Sequence, residues 1–453
     1  MDLVKPIAKH IIDPIVTLRE GSSYRSILGD LERSQYWPKE KIEALQLERL
    51  RALLKHAAAN CPYYTSVFAR VGFDPAKLSS AADLRSLPVL TKRDIQTHQE
   101  MMVAANFPKA DLIPNQTGGS TGSPLKFFLD RQRLYSRKAS TVRHDRWAGL
   151  DIGDKLAVLW GNRHDISEDE TAKARIKQRL YDRRIFLDTS DMSQKKIDGF
   201  ISTLKSYKPS YYLAYANAVY LLARYIREKK IADYHRPRSI ITSAELLTDD
   251  QRNLIESVFE CKVFNRYGCR ETSVIASECP EHKGMHISAE TLLVEFEPAS
   301  DDASRIVITD LLNFGMPLIR YQIEDMGIKI GGECACGRGL PRMNISGGRV
   351  TDFLITPDNR VISGAAMTIY FIATVPGIAQ AQIVQERKDF INLRLVKGRE
   401  FSDHTLELLE QKVREFFGNA MQFEIDYVEE IPKTASGKYR FSICKLDPME
   451  YLE

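Results

Sequence analysis

Between Ile42 and Ala58 apolar residues recur at helical spacing in "KIEALQLERLRALLKHAAAN", with Pro38 before the run and the Cys61-Pro62 pair after it. The stretch "SSAADLRSLPVLTKRDIQTH" reads as a Ser-capped turn followed by a second helix start at Thr91. The first hundred residues are therefore expected to be mainly helical. From about Leu112 the pattern changes. "KLAVLWG" (155–161), "RIFLDTS" (184–190), "SYYLAYA" (210–216), "RSIITSAE" (238–245) and "CKVFNRYG" (261–268) are short apolar runs, mostly separated by helical ones such as "NAVYLLARYIREKK". That order predicts a mostly parallel sheet with crossover helices, an α/β fold. After Gly284 the strands crowd together, which suggests an antiparallel or barrel-like subdomain closed by a Gly-rich break at 344–350. Beyond it, "DFLITPDNRVISG" reads as a hairpin, 366–375 and 405–418 as helices, and 378–387, 390–398 and 422–431 as strands. The expected division is a helical part at 1–110, a large mixed-sheet unit at 111–350, and a small mobile α+β C-terminal domain at 351–453.

Composition narrows the function classes. The 453 residues carry 64 basic and 60 acidic side chains, a net charge of +4, so charge alone suggests no nucleic-acid partner. The basic run "KARIKQRLYDRR" (173–184) reads as a solvated helix face. No apolar run is long enough to span a bilayer. The N-terminal "MDLVKPIAKHIIDPIV" mixes charge and proline into its apolar run, unlike a secretory signal. Seven cysteines in a long chain argue against a disulfide framework and for a reducing, cytoplasmic setting.

Four motifs carry candidate chemistry. "NQTGGSTGSPLKFFLD" (115–130) can present backbone N–H groups and hydroxyls to an anion without the lysine of a P-loop, although Gly and Ser also make ordinary hairpin loops. "NRYGCRET" (265–272) offers an aromatic ring for a planar base and a carboxylate, Glu271, for a divalent cation; a turn with a surface ion pair has the same letters. "ITDLLNFGMPLIRYQIEDMG" places Asp310 and Asp325 at strand ends, where a carboxylate can accept from a ribose diol or merely cap a strand. "EEIPKTASGKYRFSICK" presents Lys438 on a loop, a point charge suited to a phosphate or carboxylate.

In this order the motifs resemble the adenylate-forming superfamily, and within it the phenylacetate-CoA ligase branch with its CapK-like proteins of capsular polysaccharide biosynthesis. The resemblance covers nearly the whole chain, including "GGRVTDFLITPDNRVISGAAM" at the domain junction. It implies a large N-terminal domain with mixed sheets, a small C-terminal domain, and an AMP-forming ligase that uses ATP and Mg²⁺. Thr117, Gly118, Gly119, Ser120, Thr121, Gly122 and Ser123 would wrap the phosphates. Ser243, Ala244 and Glu245 would line the adenine and substrate pocket, with Arg266, Tyr267 and Gly268 beside the base. Glu271 would hold Mg²⁺, Asp325 the ribose, and Arg349 the ribose or phosphate. Asp352 would be the hinge, and Lys438 would reach the carboxylate and α-phosphate.

The implied substrates are a small-molecule carboxylic acid and an acceptor, either the CoA thiol or an amine. The segment "TPDNRVISGAAM" after the hinge lacks the Gly-Val-Asn-type stretch common in phenylacetate-CoA ligases, which favours the amine. An amide-forming ligase of surface-polysaccharide synthesis and a non-catalytic nucleotide-binding scaffold are the alternatives. Relatives are often homodimers, and that is an expectation here too.

The cysteines form a separate pattern. "ASECPEHKGMHIS" and "GGECACGRG" supply two knuckles some fifty residues apart. Cys279, His286, Cys334 and Cys336 can close a tetrahedral structural Zn²⁺ site, with His282 as a rival fourth ligand; buried free thiols beside surface histidines are the plainer reading.

Overall fold

The computed structural model describes residues 2–117, 125–161, 177–300, 303–347, 352–367, 375–432 and 440–452. The helical start follows its punctuation. Pro38 caps the helix Lys39–Asn60, extended Cys61 ends it, and Pro62 opens Pro62–Val71, which stops at Gly72 in the left-handed region (φ 65°). Ser80 with Asp83, and Thr91 with Asp94, form reciprocal capping boxes. Leu50, Leu53, Leu54 and Ile95 of this layer are buried in one core with Phe127, Ile306 and Ile308.

The strands in chain order are β1 (Ile113–Gln116), β2 (Lys126–Leu129), β3 (Leu156–Trp160), β4 (Arg184–Asp188), β5 (Tyr211–Tyr215), β6 (Ser239–Ser243), β7 (Lys262–Cys269), β8 (Ser273–Glu278), β9 (Met285–Ile287), β10 (Leu292–Ser300), β11 (Ala303–Asp310), β12 (Tyr321–Ile330) and β13 (Arg342–Gly347). β1 and β2 form an antiparallel hairpin. The others build an 11-stranded sheet in the order β10-β11-β12-β13-β9-β8-β7-β6-β5-β3-β4. The five expected strands are its parallel half, β4-β3-β5-β6-β7.

The crowded strands after Gly284 are antiparallel as expected, but among the described residues they do not close into a barrel. They continue the same sheet. One strand serves both halves: β7 pairs in parallel with β6 through 262–265 and antiparallel with β8 through 266–269, with a bulge at Tyr267/Gly268. The Gly-rich stretch expected to end this region is in part a strand. Asn344 and Ile345 pair with Ile328 and Gly327, and Gly327 has no room for a Cβ, which would sit 2.9 Å from Ile306 Cδ1.

The small domain comprises the hairpin β14 (Leu354–Ile355) and β15 (Val361–Ile362), then β16 (Ile378–Arg387), β17 (Phe390–Lys397), β18 (Gln422–Tyr427) and β19 (Ser442–Cys444). The last four form a sheet in the order β18-β17-β16-β19, covered by the helix Asp403–Phe417 through Leu409, Val413 and Phe417. Of the helix expected at 366–375, Gly364–Met367 is helical and 368–374 lies outside the described residues. Phe353, Ile355, Val361, Met449 and Leu452 enter the core of the parallel half with Leu222 and Ile255.

Of the basic run at 173–184, residues 177–184 are described; Lys177, Gln178 and Arg184 are exposed as a solvated face requires, and Arg183 is the exception. Arg183 is buried at φ 45°, donating to Gly153 O (2.5 Å) and Asp2 (2.7 Å), because the chain turns there from a π-helical turn into β4. No described helix is long and apolar enough to cross a membrane.

Candidate active site and metal centre

The β7 junction places the second and third motifs face to face. Tyr267, on β7, donates its hydroxyl to Asp325 of β12 at 2.8 Å. Tyr321, at the start of β12, donates to Glu271 beyond the end of β7 at 2.9 Å. Each motif thus supplies one tyrosine and one carboxylate, and the pairs cross. Glu271 and Tyr321 are both buried, and burial followed by the Glu271 charge holds the Tyr321 phenol well above its usual range, so it remains a donor.

Gly268 is required at the bulge: a Cβ there would lie 2.4 Å from Ser273 O. From behind, the helix Arg131–Trp147 grips the turn. Arg133 donates to Thr272 O (2.8 Å) and forms a fully buried ion pair with Asp310 (2.6 Å). Arg137 donates to Arg270 O at 2.6 Å. The motif reading missed Arg133, Arg137 and the hydroxyl of Tyr321. The available signal was "DRQRLYSRK", which puts two arginines one turn apart on a helix that directly follows the Gly loop.

Arg266 is engaged by the protein itself. Successive side chains on a strand face opposite ways, so Arg266 points away from Tyr267 and is buried against Asp145 in an ion pair. Burial raises the Asp145 carboxyl despite that guanidinium. Glu245 also has a structural employment. It accepts from Asn217 N (2.8 Å) and Nδ2 (3.2 Å), capping the helix Ala216–Glu228. Ser243 ends β6, and Ala244 follows at φ 69°. These residues stand at the carboxyl edge of the parallel strands, where Trp160 (β3) and Tyr215 (β5) stack with centroids 4.1 Å apart. The rest of "YYLAYANAVY" is largely core, as with Tyr212 and Val219.

Thr117 closes the base of the Gly loop. Its N–H donates to Leu125 O and its hydroxyl accepts from Leu125 N, both at 2.9 Å. Gly118, Gly119, Ser120, Thr121, Gly122 and Ser123 lie outside the described residues, as do Arg349 and Lys438. Asp352 is tied to β19: its carboxylate accepts from Arg440 (2.5 Å) and Cys444 N (3.0 Å), and Ser442 Oγ bonds its backbone (2.9 Å).

The two cysteine knuckles meet. One ligand atom from each of Cys279, His286, Cys334 and Cys336 lies within 4.8 Å of all the others. Cys279 Sγ is 3.7 Å from Cys334 Sγ, and Cys336 Sγ is 3.3 Å from His286 Nε2. Thiolates bound tetrahedrally at about 2.3 Å would stand about 3.8 Å apart. His286 Nδ1 donates to Leu340 O (3.1 Å), which leaves Nε2 turned to the sulfurs. Its imidazole is lowered to about 4 by burial and is therefore neutral, the ligating form. His282 lies elsewhere, 3.2 Å from Glu278 and against Phe264.

This two-domain architecture has counterparts. Residues 354–445 match the CapK C-terminal domain family. The chain is 24% identical to "Protein CapK" of Staphylococcus aureus over 403 residues, 88% of each chain. It is 26% identical to a phenylacetate-coenzyme A ligase of Pseudomonas putida, over 72% of this chain and 76% of that one. Among solved structures, 2-hydroxyisobutyryl-CoA ligase in complex with 2-HIB-AMP and CoA in the thioesterification state superposes with a TM-score of 0.61 at 19% identity, covering 93% of both chains. The fold is thus that of the adenylate-forming ligases, and along most of its length the chain is similar to CapK and to phenylacetate-CoA ligases.

Proposed function

We propose that this protein is an ATP-dependent, AMP-forming ligase that activates a small carboxylic acid as its adenylate and passes the acyl group to an acceptor. The observation that carries this reading is the crossed tyrosine–carboxylate pairing between the two motifs. Tyr321 holds Glu271 at the turn, and Tyr267 holds Asp325 opposite, so two carboxylates are fixed by defined donors on facing strands. Such a pair suits a nucleotide: Asp325 for ribose hydroxyls and Glu271 for the Mg²⁺ that accompanies phosphates. Magnesium would supply charge neutralisation at the phosphates.

A carboxylate substrate and a triphosphate repel each other, so the site must offset that repulsion. In this reading the loop from Thr117 to Ser123 binds phosphates through N–H and hydroxyl groups, Arg349 assists, and Lys438 contacts the reacting carboxylate and α-phosphate. The substrate carboxylate attacks the α-phosphorus, the bond to the bridging oxygen breaks, and pyrophosphate leaves. The acceptor then displaces AMP. Trp160 and Tyr215 supply an aromatic wall beside Ser243, Ala244 and Glu245 for the acid. The acceptor is a CoA thiol or an amine. Asp352, bonded into β19, is the hinge that carries the Lys438 loop towards and away from the site.

Cys279, His286, Cys334 and Cys336 hold a structural Zn²⁺ in this proposal, and the 3.7 Å sulfur–sulfur edge fits its radius. Lys438→Ala is expected to lower acid-dependent pyrophosphate exchange at least ~100-fold with an unchanged thermal melt. An enzyme that keeps full exchange after that substitution would remove the mechanism.

A further inference from the structure

The N-terminal helix carries a surface that the ligase chemistry does not use. Val4–Ile7, a π-helical turn at Ala8–Ile12, and Asp13–Arg19 run on as one rod. Pro14 has no N–H to donate and its ring crowds the preceding turn, which accounts for the wider π turn. One side of the rod is fixed to the protein. Ala8, Asp13 and Thr17 are buried, Tyr181 bonds Asp13 (2.6 Å), and Lys5 and Lys9 reach down to Asp154 (2.8 Å) and Asp151 (2.6 Å). The other side is aliphatic and open. Leu3, Ile7, Ile11, Ile15 and Leu18 are 68%, 46%, 54%, 59% and 84% exposed. They are five of the twelve large apolar residues exposed on the described surface, all within sixteen positions at near-constant spacing. Scattered exposed leucines need no explanation, but a contiguous stripe does.

We propose that this stripe lies on an anionic lipid bilayer, seating the ligase at a membrane surface by a helix parallel to the plane. Three observations favour lipid over other occupants. A second copy of the chain is the first rival. A sixteen-residue helix presents a strip about 24 Å long and about 10 Å wide, a few hundred Å² against the roughly 800 Å² per partner of a stable interface. A bilayer needs no more than such a strip plus charge. The charge is the second observation. Lys5, Lys9 and Arg19 are the basic residues of the rod; the acids paired with Lys5 and Lys9 lie beneath, only 5% and 17% exposed, and Asp2 is paired with the buried Arg183, which leaves Glu20 as the exposed acid beside them. The third is composition. The segment 162–176, which rejoins the described chain beside Lys177, offers only Ile166 and Ile176 as large aliphatics and is ill suited to cover the stripe.

The test uses the full chain and vesicles of phosphatidylcholine with and without phosphatidylglycerol. Wild type is expected to co-sediment with the mixed vesicles, less at high salt. Ile7→Ser/Ile11→Ser/Ile15→Ser should weaken partition roughly tenfold or more, with an unchanged melt and unchanged acid-dependent pyrophosphate exchange in solution. No sedimentation of wild type, or equal sedimentation of the variant, overturns the proposal. So does a wild-type dimer that the triple variant converts to monomer, since a second copy would then be the occupant. Vesicle binding and exchange are separate readouts, so failure here leaves the ligase reading standing, and the reverse holds too.

Discussion

At the scale of single residues, the crossed pairs, which span 50 and 58 residues of sequence, explain why two separate motifs can act as one site. A tyrosine hydroxyl donating to a carboxylate is a charge-assisted bond, and it fixes which lone pairs remain for a ligand. Tyr267→Phe removes the donor that holds Asp325 and leaves its ring in place. Freed to rotate, Asp325 should bind ribose less well. The expected outcome is a KM for ATP raised about tenfold, with kcat in the pyrophosphate exchange assay changed much less. A fall in kcat at constant KM would instead mean that the pair acts in the chemical step. The letters of both motifs were readable in the sequence as candidates. The crossing was not, because it depends on β7 and β12 being brought together from separate parts of the sheet. The face of Arg266 was readable in principle from strand alternation. A motif read as a block hides that alternation, which sets Arg266 against Asp145 on the face opposite Tyr267.

At the scale of elements, caps and punctuation were the most legible features. Pro38, Cys61-Pro62, Ser80 and Thr91 mark ends that local backbone chemistry alone decides. The parallel strands followed from their apolar runs for the same reason. What sequence could not show was the join. Crowded antiparallel strands fit a barrel or an open sheet equally well, and a bulge at Gly268 within one strand settles it.

The cysteine knuckle is also an element-scale device: Cys279 follows β8, His286 lies in β9, and Cys334 and Cys336 precede β13. If zinc joins them, then metal analysis of purified protein should find one equivalent. Cys334→Ser should lose it and destabilise the fold by about 3 kcal/mol or more, since one buried ligand is removed and the others are left without a cation. Wild-type protein without stoichiometric metal would leave only three buried and one half-buried polar side chains in contact.

At the scale of the molecule, the helical layer is joined to the sheet through a buried polar seam. Arg143 donates to Glu290 at 2.5 Å, Ser34 donates to the same oxygen at 2.7 Å, and Trp147 Nε1 donates to Gln35 at 2.8 Å. Within that seam His144 stacks on Trp147 and places Nε2 2.9 Å from Ser288 Oγ, whose own hydroxyl donates to Val274 O. Nε2 also lies 3.4 Å from the donor-only Arg143 guanidinium, so a positive charge on the ring is unfavourable there. Nδ1 is buried with no partner among the described residues, so a second proton there would have nothing to bond. Burial, followed by Arg143, Arg266, His286 and Arg338, holds the His144 pKa well below the ordinary histidine value. Its folded pKa is thus depressed relative to an unfolded value of about 6.5, and below that value the unfolded chain binds the extra proton. Stability must then fall as pH drops, by about 1.4 kcal/mol per pH unit for one proton. Glu278 acts in a lower window. Burial alone would raise it, but His282, Arg252 and Asn265 N bring it below its usual value, so its contribution is lost only as pH falls through the carboxylate range. Denaturant melts followed by tryptophan fluorescence between about pH 7 and pH 5 should therefore show a slope to which His144 and the likewise depressed His286 both contribute. His144→Gln should flatten that slope by about one proton; an unchanged slope would mean that another histidine takes up the proton and that the seam does not set the acid limit of the fold.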